Sequence, residues 1–205
     1  MTTENENADS RAGVRALDAG ALRALAHPVR VRLYDILSQQ GPQTASTLAA
    51  MTGESSGSTS YHLRALAKHD LIREVAGRGT ARERWWERPS GGVSFPSPEA
   101  TRTPAGRAAS QVVMTEFLAL RQEQLMSFVG ASLQDEPDAW AQSALITTTS
   151  VTLTLAELGE VNARIQRLID EIAAQYRDAA DAAADGTERR TVSLRADAFP
   201  LTAGD

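Results

Sequence analysis

The stretch from Gly41 to Trp86 narrows the possible folds more than any other part of the chain. Apolar residues recur at spacings of three and four over two short segments, Thr44–Gly53 and Ser55–His69, separated by glycine. Such spacing places one face of each helix in a core. Thr44 suits the N-cap of the first helix, and Ser55 or Ser56 that of the second, because a short hydroxyl side chain can accept from the free N–H groups of a first turn. Beyond them, Leu71, Arg73 and Val75 alternate with Ile72, Glu74 and Ala76. A glycine- and arginine-rich turn (Gly77–Arg82) and a return segment (Glu83–Glu87) follow, the pattern of a hairpin. Adjacent strand residues face opposite sides, so one of Trp85 and Trp86 belongs in the core. The other has room to pack under the C-terminal helices.

Upstream, Leu22, Leu25 and Ala26 mark a short amphipathic helix that stops before His27-Pro28. Pro28 fits the first position of a further helix, where its missing N–H would have no intrahelical partner anyway. Val29, Leu33, Ile36 and Leu37 form the apolar side of that helix, and Gly41-Pro42 closes it.

The helix over Ser55–His69 has two distinct faces. Thr59, Leu63, Leu66 and Ala67 share the core side, while Gly57, Tyr61, Arg64 and Lys68, with Ser60 beside them, form a polar and cationic stripe. An ordinary solvated face would explain the two cations equally well. The order helix, glycine turn, polar helix, basic hairpin favours something more specific: a helix laid in the major groove of double-stranded DNA, with a wing on the neighbouring backbone. In that arrangement Ser58, Ser60, Tyr61 and Arg64 would meet base edges, and Ser56 and Gly57 would sit at the close approach. Thr44, Lys68, Arg78, Arg82 and Arg84 would hold phosphates.

The net charge of −5 looks wrong for a DNA-binding chain, but its distribution is not uniform. Residues 20–88 carry ten Lys and Arg against six Asp and Glu, whereas residues 89–205 carry nine against sixteen. A basic module beside an acidic one suggests two different tasks. Of the 21 cations only Lys68 is a lysine, which suits forked recognition of guanine or phosphate but equally reflects a genome rich in G and C.

Ser90–Thr103, rich in Ser, Pro and Gly, reads as a linker. From Pro104 to Leu133 two adjoining apolar stripes run along one helix: Val113, Phe117, Leu120, Gln124 and Phe128 on one, and Met114, Leu118, Leu125 and Val129 on the other. Such a helix must pack on its own domain and on a second subunit. Ala144–Thr154 is dense in β-branched residues and reads as a strand. Thr154 with Glu157 can cap a helix whose apolar side carries Leu158, Val161, Ile165, Leu168, Ile169, Ile172 and Tyr176. Thr191–Phe199 alternates and reads as a second strand able to pair with the first. Phe117, Phe128, Trp140, Tyr176 and Phe199 lie near apolar faces. They would fill a core or dimer interface, or else line a pocket for a small-molecule effector.

LAHPVRVRLYDIL (Leu25–Leu37), TASTLAAMTG (Thr44–Gly53), STSYHLRALAKHDLI (Ser58–Ile72) and the GRG-plus-RERWWE wing resemble the ArsR-type winged helix-turn-helix transcription regulators of bacteria. The downstream part is similar to an actinobacterial subgroup with a strand-helix-strand extension and an "AFP"-like tail, here Ala198-Phe199-Pro200. The resemblance implies a homodimer that binds a two-fold-symmetric operator and represses transcription. Founding members sense metals through cysteines at the first helix of the helix-turn-helix, or through Asp and His pairs on a terminal helix. Here Ser46-Thr47-Leu48-Ala49 occupies the first of these segments, and the chain has no cysteine. Disulfides, thiolate metal sites and thiol redox sensing are thereby excluded. His27, His62 and His69 do not cluster in sequence, so neither a metal nor any other cofactor is expected.

The expected fold is mainly α with a small β component. It has a polar disordered arm over 1–17, a winged helix-turn-helix domain over 18–89, a linker over 90–103, and a helical dimerisation or effector region with a two-stranded sheet over 104–205. No apolar run approaches the length of a membrane span, and MTTENENADSRAG has neither the basic start nor the apolar core of a secretory signal. The expected location is the cytoplasm. Phosphate-loop, GxSxG and HExxH motifs are missing, so an enzyme is not expected. The competing function is a winged-helix module that docks proteins without specific DNA binding.

Overall fold

The computed structural model describes residues 14–80, 83–89, 92–94, 100–134, 139–176 and 188–201. The described chain divides after Ala144 into two units. In the first, α1 (Ala19–Leu25) is capped by Asp18, whose carboxylate accepts from the N–H groups of Gly20 and Ala21 at 2.7 and 2.8 Å. Next comes α2 (Pro28–Gln40), with Pro28 at its first position and Gly41 ending it at φ 70°. A two-residue strand, β2 (Gln43–Thr44), leads into α3 (Ala45–Thr52), which Gly53 closes in the left-handed conformation. Ser55 caps α4 (Ser56–Ala67).

Past α4 the chain reverses where Asp70 takes a φ of 54° and the Leu71 N–H bonds back to the Leu66 carbonyl at 3.2 Å. It then enters the wing, β3 (Arg73–Thr80) and β4 (Glu83–Glu87). The sheet is antiparallel in the order β2, β4, β3, and its β3–β4 register shifts between Glu74 and Gly79. Leu22, Leu25, Leu33, Leu37, Leu48, Leu63 and Leu66 meet in one core, so each helix delivers its periodic apolar face to the same place.

Two boundaries differ from the sequence expectation. Val14–Ala16 is a strand, β1, paired in parallel with β5 (Gly92–Ser94), and Leu17 is fully buried. Residues 14–17 of the expected arm are therefore part of the fold, its residues 1–13 lie outside the described residues, and part of the expected linker is a paired strand. After a 3-10 turn at Ala100–Arg102, α5 (Pro104–Gln134) brings Ala109, Val113, Phe117 and Leu120 onto the same core. Apolar burial thus carries the first unit past the Ser/Pro/Gly-rich stretch, of which residues 90–91 and 95–99 lie outside the described residues.

In the second unit, α7 (Leu155–Tyr176) begins with the expected reciprocal cap. The Thr154 N–H and hydroxyl both donate to Glu157 Oε2 at 2.7 Å, and the Glu157 N–H returns to Thr154 Oγ1 at 3.3 Å. Those bonds hold the Glu157 carboxyl below its ordinary pKa. A short α6 (Ala139–Gln142) precedes this unit. The strands expected over Ala144–Thr154 and Thr191–Phe199 are not formed: residues 144–154 and 191–199 belong to no ladder. Alternation and β-branching make a segment able to pair, but a strand exists only where a second edge takes its N–H and carbonyl groups.

Candidate nucleic-acid interface

The polar stripe of α4 lies open, and the apolar stripe lies closed. Thr59, Leu63 and Leu66 are fully buried, whereas Tyr61 is 64% exposed and Ser56, Gly57, Arg64 and Lys68 are exposed with it. Ser58 and Ser60 lie at the margin, half-buried. The Ser58 hydroxyl donates to Glu54 at 3.0 Å, so it reaches another partner only by breaking that bond. A Cβ at Gly57 would meet only Ser55 Oγ at 4.0 Å, an ordinary contact, and the backbone there is helical. Nothing within the chain calls for glycine there, although glycine costs an exposed helix about 1 kcal/mol relative to alanine.

Thr44 departs from its expected role. It is 2% exposed, and its Oγ1 accepts the Thr47 N–H at 3.2 Å while the Thr47 hydroxyl accepts the Thr44 N–H at 3.0 Å. A hydroxyl enclosed in a capping box cannot hold a phosphate. Thr44 instead fixes the start of α3 and, through its pairing with Trp85, ties that helix to the wing.

On the wing, Arg78 stacks its guanidinium 3.7 Å from the centre of the Trp85 ring and stays exposed. Arg84 is also exposed and lies 3.5 Å from the Glu74 carboxylate, a pairing that solvent screens heavily. Arg82 lies outside the described residues. Trp86 is the buried member of the tryptophan pair at 6% exposure, and Trp85 is the platform for Arg78. At Gly79, with a φ of 106°, a Cβ would collide with the Glu83 carbonyl, so the wing's approach to β4 requires glycine.

Sequence reading missed a cluster at the root of the stripe. The His27 and His62 rings lie 4.6 Å apart, Tyr61 meets His62 edge-on at 5.4 Å, and Arg30 of α2 is within electrostatic reach of Tyr61 and His62. Buried nitrogens of His27 (Nδ1), His62 (Nδ1) and Arg30 (Nε) have no hydrogen-bond partner. Burial first, then the neighbouring His27 and Arg30, lower the pKa of His62, with Glu54 opposing. The fold thus favours neutral His62. Its contribution to stability should be complete above the unfolded value near 6.5 and should decline as the pH falls from there toward the folded pKa. Denaturation midpoints measured between pH 7.5 and 5.5 should therefore fall more steeply in the wild type than in His62→Gln. Equal slopes would mean that His62 carries no such linkage.

The comparison with known families bears on this geometry. Residues 25–75 match the family model of a helix-turn-helix domain. The matched span runs from the end of α1 to the first residues of the wing, so it includes both faces of α4. The helix-turn-helix domain is the module with which many regulators bind DNA, and here α3 and α4 supply its two helices. A comparison with curated proteins finds no match. Among the described residues no helix is long and apolar enough to cross a membrane.

The five aromatics expected to line a core, dimer interface or pocket do not share one environment. Phe117 packs on the first core and meets Tyr34 edge-on with ring centres 6.3 Å apart. Phe128, Trp140, Tyr176 and Phe199 are each at least 36% exposed.

Proposed function

We propose that this chain is a sequence-specific DNA-binding regulator that acts as a homodimer and represses transcription by occupying a two-fold operator. The observation that carries the reading is the bare stripe of α4. Tyr61, Arg64 and Lys68 stand clear of the core while Leu63 and Leu66 anchor the opposite side. Gly57 adds support, because a glycine that the fold does not require fits a backbone that must come close to something outside the chain. Ser60, Tyr61 and Arg64 read bases in this proposal. Ser56, Lys68, Arg78, Arg82 and Arg84 hold phosphates, and Ser58 joins the base readers once Glu54 releases it. A second copy is part of the reading because one recognition helix covers too few base pairs to find a site among genomic competitors. A cytoplasmic location belongs to it as well, since the operator is there. The order of motifs shared with ArsR-type regulators favours repression.

The test is selection of bound fragments from the host genome, followed by titration of one selected duplex against salt. With four phosphate-holding cations from each copy, the logarithm of the binding constant should fall against the logarithm of salt concentration with a slope of roughly −7. Affinity indifferent to salt would remove the proposal and favour protein docking. Screening compounds for release of the same duplex then asks whether an effector belongs to the regulation.

A further inference from the structure

The second unit has an amphipathic helix without a core. From Leu145 to Leu201 no described residue is buried, although α7 carries an apolar stripe along its whole length. A single 22-residue helix gains little from its own backbone bonds in water, and most helical stability comes from covering such a face. The spacing of the stripe indicates what covers it. Leu158, Val161, Ile165, Leu168 and Ile172 follow one another at intervals of three, four, three and four, the spacing of a seam packed against another helix.

The charges beside the seam select among helical partners. Arg164 and Glu171 lie on the same flank, seven residues apart, both exposed and neither engaged in an ion pair. If two copies of α7 ran parallel and in register, Arg164 would face Ile169 of the other copy, and Glu171 would face Tyr176. If the copies ran antiparallel with Ile165 opposite Leu168, Val161 would meet Ile172, and each Arg164 would face the Glu171 of the other copy, twice by symmetry. On the other flank, Leu155 would then meet Tyr176, two side chains 88% and 58% exposed in the single chain. The antiparallel pairing matches opposite charges on one flank and, on the other, sets Leu155 against Tyr176 while leaving Asn162 opposite Ile169; it is also self-complementary, as a two-fold interface must be.

We infer that α7 pairs antiparallel with α7 of a second copy, with Ile165 opposite Leu168 and Arg164 opposite Glu171. The inference rests on the homodimer proposed above and gives that dimer a particular surface, distinct from the DNA face.

Because it has no cysteine, the whole chain is suited to a disulfide test. Ile165→Cys and Leu168→Cys variants, co-expressed and oxidised, should cross-link mainly as the mixed pair. Separately, Arg164→Glu should weaken self-association about tenfold by sedimentation, and adding Glu171→Arg should restore it. Predominant 165-to-165 cross-links would overturn the antiparallel register. A dimer that neither cross-links at these positions nor responds to charge reversal would overturn the seam, yet salt-dependent operator binding by the same samples would leave the regulator reading standing. Intact mixed cross-links in a protein that ignores DNA would do the opposite.

Discussion

Arg64→Ala is expected to weaken binding to the selected operator by about 1–3 kcal/mol, roughly 5- to 150-fold, and to flatten the preference for one base pair. Arg64 stands in the last turn of α4, exposed and without an ion pair, so its removal leaves no buried group stranded. The denaturation midpoint should accordingly stay where it is. Anisotropy titrations against the operator and a set of single-base variants separate the two ways Arg64 can contribute. A base reader loses affinity for the operator and little for the variants at its own position. A phosphate holder loses similar affinity for all of them and lowers the salt slope by about one. Unchanged affinity on every duplex would mean that the stripe does not face DNA, and the proposed function would go with it.

The reason the stripe was legible is geometric. A helix repeats every 3.6 residues, so the positions of Leu63, Leu66 and Thr59 determine where Tyr61 and Arg64 must point, before any neighbour is known. The helix ends were legible for the same local reason. Ser55, Thr44 with Thr47, Pro28, Gly41 and Gly53 each act on the few backbone groups next to them. Thr44 shows where local reasoning stops. A hydroxyl before a helix can cap it or reach outward to a phosphate, and only burial beside β4 decides between these. That Arg30 and His27 lie beside His62 is not legible, because their nearness depends on how the residues ahead of and within α2 meet α4, which no spacing within either helix encodes.

The C-terminal half is less legible, for a different physical reason. The periodicity of α7 and its Thr154–Glu157 cap are local, and both are present. Whether Ala144–Thr154 and Thr191–Phe199 become strands depends on a partner edge, and the described residues provide none to them. The same holds for α5. The stripe of Val113, Phe117 and Leu120 finds the first core, whereas Leu118 and Leu125 on the adjoining stripe remain 48% and 38% exposed. Sequence patterns report which faces need covering; they do not report which molecule covers them.

Leu63→Ala, one residue before Arg64, is expected to have the opposite consequence. Leu63 is fully buried in the core shared by α1, α2, α3 and α4, and truncating such a side chain costs about 2–5 kcal/mol, depending on how far the neighbours close the cavity. In a domain of ordinary stability that is a large share of the total, so the denaturant midpoint should drop sharply with little change in slope. The folded fraction should still prefer the same operator bases, because Tyr61 and Arg64 keep their places on the outer side of α4. A midpoint within about 0.5 kcal/mol of the wild type would be the behaviour of a surface position. It would show that α4 is not seated on Leu63 and Leu66, and that the face assigned to DNA is turned the wrong way.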